Sequence, residues 1–129
     1  VDPMDFSNPK PKDPISYTWF KTTAAIGDDP LVHQQLLAYA SDNPILMTAL
    51  RPHAETPFSS TIMTATLDHA LWLHRPFRVD DWLLYEIKSD SACGGRGISH
   101  GKIFNRQGEL VASAIQEGLV RKIRPQPTP

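Results

Sequence analysis

The sequence predicts an α+β fold in which one long helix packs on the face of an antiparallel β-sheet. One strand-like segment comes first, a helical run follows it, and four further strand-like segments follow with short connections. Strands joined by short connections pair antiparallel, because parallel strands need a long crossover between them. A length of 129 residues is that of one ordinary domain. We therefore expect a single folded unit built around one helix.

Proline-rich ends flank this unit. Residues 1–15 contain four prolines and little apolar periodicity, so we expect an N-terminal arm or a linker between modules. Residues 16–122 would form the folded domain, and residues 123–129 a loose C-terminal tail. The chain starts with Val1 rather than Met, and we expect it to be a piece of a longer protein.

The first strand is predicted over residues 16–26, a stretch rich in aromatic and β-branched residues. The helix is predicted to begin after Asp29, whose side chain can accept a hydrogen bond from a first-turn N–H group. Pro30 suits the first helical position, because the N–H group that it lacks would have had no partner there. These two residues define the predicted helix start.

The sheet-facing side of the helix is predicted from helical spacing to consist of Val32, Leu36, Tyr39 and Ala40. Pro44 disfavours helical geometry at Asn43, so the helix is predicted to end or kink at about Asp42. A short second helical piece would continue to Leu50. Asp42 would then lie at a helix C-terminus, where the helix dipole makes a carboxylate a better base. The alternative is an ordinary solvated acid at a helix end.

The later strands are predicted over residues 61–73, 82–88, 97–104 and 109–120, with loops at 51–60 and 89–96. Residues 61–73 alternate with a period of two. One side of that strand would carry Met63, Ala65, Leu67, Leu71 and Leu73, and the other Thr64, Thr66 and Asp68. Leu83, Tyr85 and Ile87 share a face of the next strand. Gly108 can take the positive φ of a type I turn with a bulge, which predicts a hairpin at residues 105–108.

Composition points to a small-molecule partner. The net charge is −1, from 13 basic and 14 acidic residues without a basic run, so neither nucleic acid nor an anionic membrane surface is expected to bind. No apolar run has the length of a spanning helix, and the single cysteine, Cys93, cannot form an internal disulfide. We expect a reducing, cytoplasmic location, or a peroxisomal one if the source is eukaryotic. His69, His74 and His100 show no metal-ligand spacing, so no metal or cofactor is predicted.

Gln116 is the second candidate for chemistry. The last strand places Leu110, Ala112, Ala114 and Gln116 on one face, so an amide ends an otherwise apolar row. A buried amide must find hydrogen-bond partners, which are either backbone groups or a functional site. The small alanines would let the helix approach the sheet closely.

Three other motifs are weaker. The glycine-rich stretch at residues 93–97 lacks the Lys-Ser/Thr pair of a phosphate loop, so we interpret it as a bend between strands. No histidine is spaced so that it would be expected to activate Cys93 as a nucleophile, and Cys93 is expected to be an inert thiol. Asp68 and His69 are adjacent in a strand, so their side chains point to opposite faces and cannot form a dyad.

Several segments together resemble a known family. They are TLDHALWLHRPF at residues 66–77, DWLLY at 81–85, Arg96-Gly97 and AIQEGLVR at 114–121, with shorter matches at residues 1–6, 32–34 and 39–42. The chain resembles the C-terminal half of type II acyl-CoA thioesterases, the bacterial TesB and peroxisomal group. This resemblance implies a hot-dog fold, an antiparallel sheet wrapped round one long helix. It also implies that the chain is the second of two such modules in tandem.

The resemblance assigns a catalytic role to Asp42, Thr66 and Gln116, by their positions in the family motifs. Asp42 would act as a general base on water, while Thr66 and Gln116 orient that water or the thioester carbonyl. No covalent intermediate would form. A helix N–H group or the Gln116 amide would bind the developing oxyanion.

The implied substrate is a medium- to long-chain fatty acyl-CoA, hydrolysed to free fatty acid and CoA. Candidates for binding the anionic CoA end are Arg75, Arg96 and Lys102, with ordinary surface charges as the alternative. A hot-dog hydratase or dehydratase is disfavoured, since His33 lies nine residues before Asp42 and off any shared helical contact. A non-catalytic acyl-CoA-binding or structural half is a further alternative. An isolated module would expose a sheet edge, so we expect a homo-oligomer or pairing with an N-terminal module.

Overall fold

A computed structural model describes residues 5–123 of the chain. Its strands are β1 (Ile15–Phe20), β2 (Ile62–Leu73), β3 (Leu83–Cys93), β4 (Arg96–Phe104) and β5 (Leu110–Lys122). All neighbours pair antiparallel, in the order β1-β3-β4-β5-β2. Helices α1 (Pro30–Ile45) and α2 (Met47–Leu50) follow β1, and a 3₁₀ turn at Arg51–His53 continues from α2. The predicted α+β class is confirmed.

Helix α1 starts as predicted and ends later. The Asp29 side chain accepts a hydrogen bond from the Leu31 N–H group at 2.9 Å, and Pro30 is the first helical residue. The helix then passes through Pro44 and ends at Ile45. A proline in the last turn costs one hydrogen bond but leaves little helix beyond it to distort. Asp42 therefore lies within the last turn of α1.

The sheet-facing side of α1 was predicted wrongly. Its buried residues are His33, Leu37, Ser41 and Ile45. Tyr39 is 80% exposed and Val32 is also exposed, whereas Leu36 and Ala40 are only half-buried at the margin. Two of the four buried residues are polar, so a pattern of apolar residues does not reveal this face.

His33 shows how a polar residue is accommodated there. Its Nδ1 accepts a hydrogen bond from the Val79 N–H group at 3.1 Å, and its Nε2 lies 2.9 Å from the Gly27 carbonyl oxygen. The ring is thus satisfied on both sides and ties α1 to the segments before it and before β3. It points away from Asp42, as the helical spacing predicts.

A β-bulge in β2 changes which residues face the helix. The strand bounds agree with the prediction to one residue, but Thr66 pairs with Gly118 and Asp68 with Glu117, so Leu67 is an extra residue. Before the bulge the even-numbered side chains point towards the helix, and after it the odd-numbered ones do. The prediction that Met63, Leu67 and Leu71 share one side of the strand was therefore wrong, and Leu67 is 51% exposed.

The central hairpin is longer than predicted. Residues 89–96 were expected to be a loop, but β3 runs to Cys93 and β4 starts at Arg96. Gly94 and Gly95 form the two-residue turn with φ angles of 61° and 77°, which suits a tight hairpin. The Ser89 side chain donates to the Ile98 carbonyl oxygen at 2.7 Å, so a polar stretch still belongs to the sheet. The bend between strands at residues 93–97 is confirmed.

The last hairpin and the face of β3 agree with the predictions. Gly108 has a φ of 80°, and the Asn105 N–H group donates to the Glu109 carbonyl oxygen at 3.1 Å. Leu83, Tyr85 and Ile87 are all buried. By contrast, β1 ends at Phe20, and residues 21–29 form a connection to α1 rather than a continuation of the strand.

The core lies between α1 and the inner face of the sheet. Buried residues of this core include Leu37, Ile45, Tyr85, Ile87, Ile103 and Ala114. Two glycines let the junction of α1 and α2 come close to the sheet. A Cβ atom at Gly118 would lie 2.5 Å from the Leu46 side chain, and one at Gly97 would lie 2.7 Å from the Ala49 Cβ.

The segment before β1 runs along the domain. The Lys12 N–H group donates to the Arg51 carbonyl oxygen at 3.0 Å, and Arg51 Nε donates to the Asp13 carbonyl oxygen at 2.9 Å. Residues 1–4 and 124–129, including most of the predicted tail, lie outside the described residues. Within residues 5–123, none of the helices is long and apolar enough to cross a membrane.

Candidate active site

The structure brings Asp42, Thr66 and Gln116 together through hydrogen bonds. They come from the last turn of α1, from the bulge in β2 and from the middle of β5. Thr66 Oγ1 donates to Asp42 Oδ1 at 3.0 Å, and Gln116 Nε2 donates to Thr66 Oγ1 at 3.1 Å. The three residues that the sequence singled out therefore form one constellation.

Burial differs sharply across this constellation. Gln116 is 1% exposed, whereas Asp42 and Thr66 are both exposed. A buried amide with fixed partners keeps its orientation, and an exposed carboxylate is reached by water. The arrangement thus combines a fixed donor with a solvent-accessible acceptor.

His69 joins the same network, although no pattern in the sequence predicts it. Its Nδ1 lies 2.7 Å from Gln116 Oε1, and its Nε2 lies 2.9 Å from Ser41 Oγ. Without the bulge, Thr66 and His69 would point to opposite faces of β2, because they are three residues apart. Nothing in the sequence marks the bulge at Leu67, so no sequence signal could have placed His69 in the site.

The network closes on itself. It runs from Asp42 through Thr66, Gln116 and His69 to Ser41, which is the residue before Asp42 in α1. Both ends of the chain of hydrogen bonds are thus anchored in the same turn of the helix.

A buried tyrosine supports that turn. The Tyr85 hydroxyl donates to the Ser41 carbonyl oxygen at 3.1 Å. Burial, and secondly the negative charge of Asp42, raise the pKa of Tyr85 far above its usual value of 10.0. The hydroxyl therefore stays protonated and remains a donor to the backbone beside Asp42.

A cleft of about 300 Å³ opens next to Asp42, Thr66 and Gln116, with polar residues on one side and apolar residues on the other. Its apolar side consists of Leu46 from the α1–α2 junction, Met47 and Leu50 from α2 and Phe58 from the following loop. The Phe58 ring makes an edge-on contact with Phe6, with ring centroids 5.7 Å apart. The polar constellation thus lies at the side of a cleft that suits an apolar chain.

A second cleft, of about 250 Å³, shares Leu50 with the first. Three residues with basic side chains line it: His53, Arg96 and Lys122. Arg96 also lies 3.5 Å from the Glu117 carboxylate. Of the three cations predicted to bind CoA, only Arg96 is in this region.

The other two predicted cations lie elsewhere. Arg75 Nη1 donates to the Leu110 carbonyl oxygen at 2.7 Å, at the far end of β5. Arg96 pairs with Leu119, and the nine residue steps from 110 to 119 correspond to about 30 Å of strand. Lys102 lies on the outer face of β4, with Nζ 3.8 Å from the Glu86 carboxylate. The structure does not bring Arg75, Arg96 and Lys102 together.

The remaining candidates stay outside the site. Cys93 is exposed at the end of β3; it lines the second cleft but not the cleft beside Asp42. Asp68 accepts a hydrogen bond from the Glu117 N–H group at 3.2 Å and does not contact His69. In the described part of the chain, no group of three or more His, Cys, Asp and Glu side chains could hold a metal ion.

Comparison with solved structures defines the class of fold. An acyl-CoA thioesterase II, TesB2, from Mycobacterium marinum superposes with a TM-score of 0.80 and 41% identity, over 95% of this chain and 45% of that chain. A hypothetical thioesterase from Streptococcus pneumoniae, 13% identical, shares the fold with a TM-score of 0.63, over 88% of both chains. Five antiparallel strands round one long helix form the hot-dog fold of these proteins, as the resemblance implied.

Residues 2–119 match the family described as acyl-CoA thioesterase, and the chain belongs to this family. It is 45% identical over 105 residues to acyl-CoA thioesterase 2 of Haemophilus influenzae, which covers 81% of the chain and 37% of that protein. It is 37% identical over 127 residues to human acyl-coenzyme A thioesterase 8, which covers 98% of the chain and 39% of that protein. The chain thus spans less than half the length of these relatives.

Proposed function

We propose that this chain hydrolyses medium- to long-chain fatty acyl-CoA to free fatty acid and CoA. The observation that carries the proposal is the hydrogen-bonded set of Asp42, Thr66 and Gln116 in a cleft whose other side is apolar. Membership of the acyl-CoA thioesterase family and the names of the relatives support the same reaction.

Asp42 is proposed as the general base. Thr66 donates to Oδ1, which leaves Oδ2 to accept a proton from water. That water attacks the thioester carbonyl carbon and gives its proton to Asp42. The tetrahedral intermediate then breaks its C–S bond, and the CoA thiolate takes up the proton that Asp42 received. The reaction consumes one water and needs neither a covalent enzyme intermediate nor a cofactor.

Gln116 is proposed as the oxyanion donor. One hydrogen of its amide nitrogen goes to Thr66 Oγ1, and the second is then directed at the thioester oxygen. Such a donor, held in place before the reaction, typically stabilises the transition state by about 3 kcal/mol. Because Gln116 is buried and held at both ends of its amide, little reorganisation is needed when charge develops.

The two clefts divide the substrate between them. The acyl chain would lie against Leu46, Met47 and Leu50, and the CoA phosphates near Arg96 and Lys122. Arginine suits phosphate recognition because its planar group donates two parallel hydrogen bonds. A role for Arg75 and Lys102 in CoA binding stays a prediction.

We also propose that the chain pairs with a second hot-dog module through β2, which lies at an edge of the sheet. That strand has twelve residues and exposes Met63, Leu67 and Trp72. A long, apolar edge is a template for pairing with another strand. The partner would be an N-terminal module of the same fold or a second copy of this chain.

The test of the enzymatic proposal is thiol release from acyl-CoAs of increasing chain length. We expect Asp42→Asn to keep the shape of the site and lose about 10²–10⁴-fold in kcat, the usual worth of a general base. Asp90→Asn, on a carboxylate paired with Lys88 on the outer face of β3, is the matched control and should keep its rate. Each added methylene should lower KM about fourfold until the cleft is full, from about 0.8 kcal/mol of burial.

Other outcomes separate the alternatives. Equal rates for the parent and Asp42→Asn would show that Asp42 is not the base. Binding of acyl-CoA by titration calorimetry without thiol release would favour a non-catalytic half. Loss of the enoyl absorbance of a short enoyl-CoA, without thiol release, would favour a hydratase.

A further inference from the structure

His69 contacts the candidate site only through Gln116 and Ser41. Both ring nitrogens are engaged, Nδ1 at 2.7 Å from Gln116 Oε1 and Nε2 at 2.9 Å from Ser41 Oγ. Neither nitrogen is therefore directed at a substrate in the cleft. We propose that His69 is a positioning residue that fixes which end of the Gln116 amide faces the reacting carbonyl, an inference that rests on the function proposed above.

The direction of each hydrogen bond follows from the carboxylate. An ionised Asp42 can only accept, so the Thr66 hydroxyl must donate to it. Thr66 Oγ1 then has only lone pairs to offer Gln116, so the amide must present its nitrogen there. The amide oxygen is left pointing at His69, and it needs a donor. That donor is a proton on His69 Nδ1.

The other neutral tautomer contradicts this pattern. With its only proton on Nε2, His69 would place the Nδ1 lone pair 2.7 Å from the Gln116 oxygen. The amide would turn over to relieve this repulsion and present its oxygen to Thr66. The single Thr66 proton could then satisfy either Gln116 or Asp42, but not both.

Ser41 is compatible with the required protonation. Its hydroxyl lies 2.9 Å from His69 Nε2 and 3.0 Å from the Ala38 carbonyl oxygen. Donating to Nε2, it selects the neutral tautomer with the proton on Nδ1. Donating to the Ala38 carbonyl oxygen instead, it accepts from an Nε2–H group of His69. In that arrangement the Gln116 oxygen decides the state of Nδ1, which carries a proton only in the doubly protonated ring.

The consequence for the reaction lies in the second hydrogen of the Gln116 amide. With the nitrogen end held towards Thr66, that hydrogen can reach the developing oxyanion. With the amide turned over, an oxygen lone pair would face the oxyanion and repel it. His69 therefore acts on the transition state through Gln116, and its loss should lower kcat more than it changes KM.

A double-mutant cycle tests this dependence. His69→Ala should lower kcat about 10–100-fold with KM within about twofold, part of what loss of an oxyanion donor costs. In the Gln116→Ala background the same change should have almost no further effect. His74→Ala is the matched control, because His74 directly follows β2 and its Nε2 lies 2.9 Å from the Ser113 hydroxyl rather than from Gln116. This variant should keep both constants. Fully multiplicative effects of His69→Ala and Gln116→Ala would overturn the proposal.

A spectroscopic measurement on the unmutated chain does not depend on the variants' folding. Imidazole ¹⁵N chemical shifts should show a protonated Nδ1 for His69, assigned by its disappearance in His69→Asn. An unprotonated Nδ1 at pH 7 would overturn the proposal outright. If Asp42→Asn and Gln116→Ala leave thiol release unchanged, the proposed function fails. The ¹⁵N chemical shifts alone then show whether His69 Nδ1 is protonated and so orients the Gln116 amide. If Asp42→Asn abolishes thiol release but the cycle is multiplicative, the proposed function stands and the inference fails.

Discussion

Gly97 and Gly118 determine how closely the α1–α2 junction can approach the sheet. A Cβ atom at Gly118 would meet the end of the Leu46 side chain, which can rotate away. At Gly97 it would meet the Ala49 Cβ at 2.7 Å, an atom fixed to the helix backbone. An added methyl group at Gly118 can therefore be accommodated by rotation of the Leu46 side chain, whereas one at Gly97 requires the helix backbone at Ala49 to move.

We expect Gly97→Ala to lower the free energy of unfolding by about 1–3 kcal/mol, the usual cost of overpacking. Gly118→Ala should cost less, and it should raise KM for long acyl-CoAs because Leu46 is pushed into the cleft. Gly27→Ala is the control, since nothing lies within 4 Å of the added atom. Urea denaturation measures all three; a cost at Gly97 no larger than at Gly27 would contradict the expected clash.

At the residue scale, the family motifs and the pattern of β5 predict Asp42, Thr66 and Gln116 as site residues, but they do not predict the hydrogen-bond partners of these residues. Gln116 stands out because an amide follows two alanines on a buried face of β5. Ser41 and His69 give no such signal, since their importance comes from contacts made across three elements. Local patterns reveal a residue that is unusual for its own element, but not one that becomes important only after packing.

At the level of elements, a charged clasp joins the connection before α1 to the loop before β3. Asp80 Oδ2 accepts from the Ile26 N–H group at 2.7 Å and from Arg78 Nη2 at 3.0 Å. Arg78 also contacts Asp28 at 2.7 Å and donates to the Ile26 carbonyl oxygen. These bonds hold two irregular segments in place where no strand pairing does so.

The clasp makes a contribution to stability that depends on pH. The hydrogen bond from Arg78, followed by that from the Ile26 N–H group, lowers the pKa of Asp80 from 3.8 to about 2. A carboxylate whose pKa is lowered by folding stabilises the native state at any pH above its pKa in the unfolded state. This stabilisation is lost as the pH falls through its pKa in the native state. We expect Asp80→Asn to be less stable than the parent near pH 7, with the difference shrinking between about pH 4 and pH 2. Urea titrations across that range measure it, and a difference that stays constant down to pH 2 would contradict the role of the carboxylate.

Element boundaries were predictable where chain chemistry specifies them. Asp29-Pro30 marks the start of α1, and Gly108 marks the last hairpin. The faces of α1 and β2 were not predictable, for two physical reasons. Buried polar residues replace part of the apolar stripe of α1, and the bulge at Leu67 shifts the alternation of β2 by one residue halfway along.

At the scale of the whole molecule, the sheet ends in two unequal edges. Strand β2 has twelve residues and β1 has six. Because the longer edge also carries Thr66, pairing there would place a partner module beside the candidate site. This geometry connects the association of modules with the environment of the reaction.

We expect the chain to self-associate through β2 at high concentration. Trp72→Lys combined with Met63→Lys should make it monomeric, because charges on an edge strand oppose edge-to-edge pairing. Trp19→Lys on β1, another exposed aromatic residue at the opposite edge, is the control and should leave association intact. Light scattering gives the mass; a monomeric parent at high concentration would rule out self-association.

The closed hydrogen-bond network from Asp42 back to Ser41 also restricts how the last turn of α1 can move. Two neighbouring residues of α1 are hydrogen-bonded to two residues of β2, Asp42 to Thr66 and Ser41 to His69. Both β2 residues are in turn hydrogen-bonded to Gln116 of β5. A single tether would let the helix pivot or slide while keeping its bond, but two tethers leave no such free movement. The last turn of α1 is therefore fixed at two points, and a displacement that breaks the Asp42–Thr66 hydrogen bond also strains the Ser41–His69 hydrogen bond. When the helix moves away from the sheet, the Asp42 carboxylate and the Gln116 amide should consequently lose their relative orientation cooperatively rather than gradually.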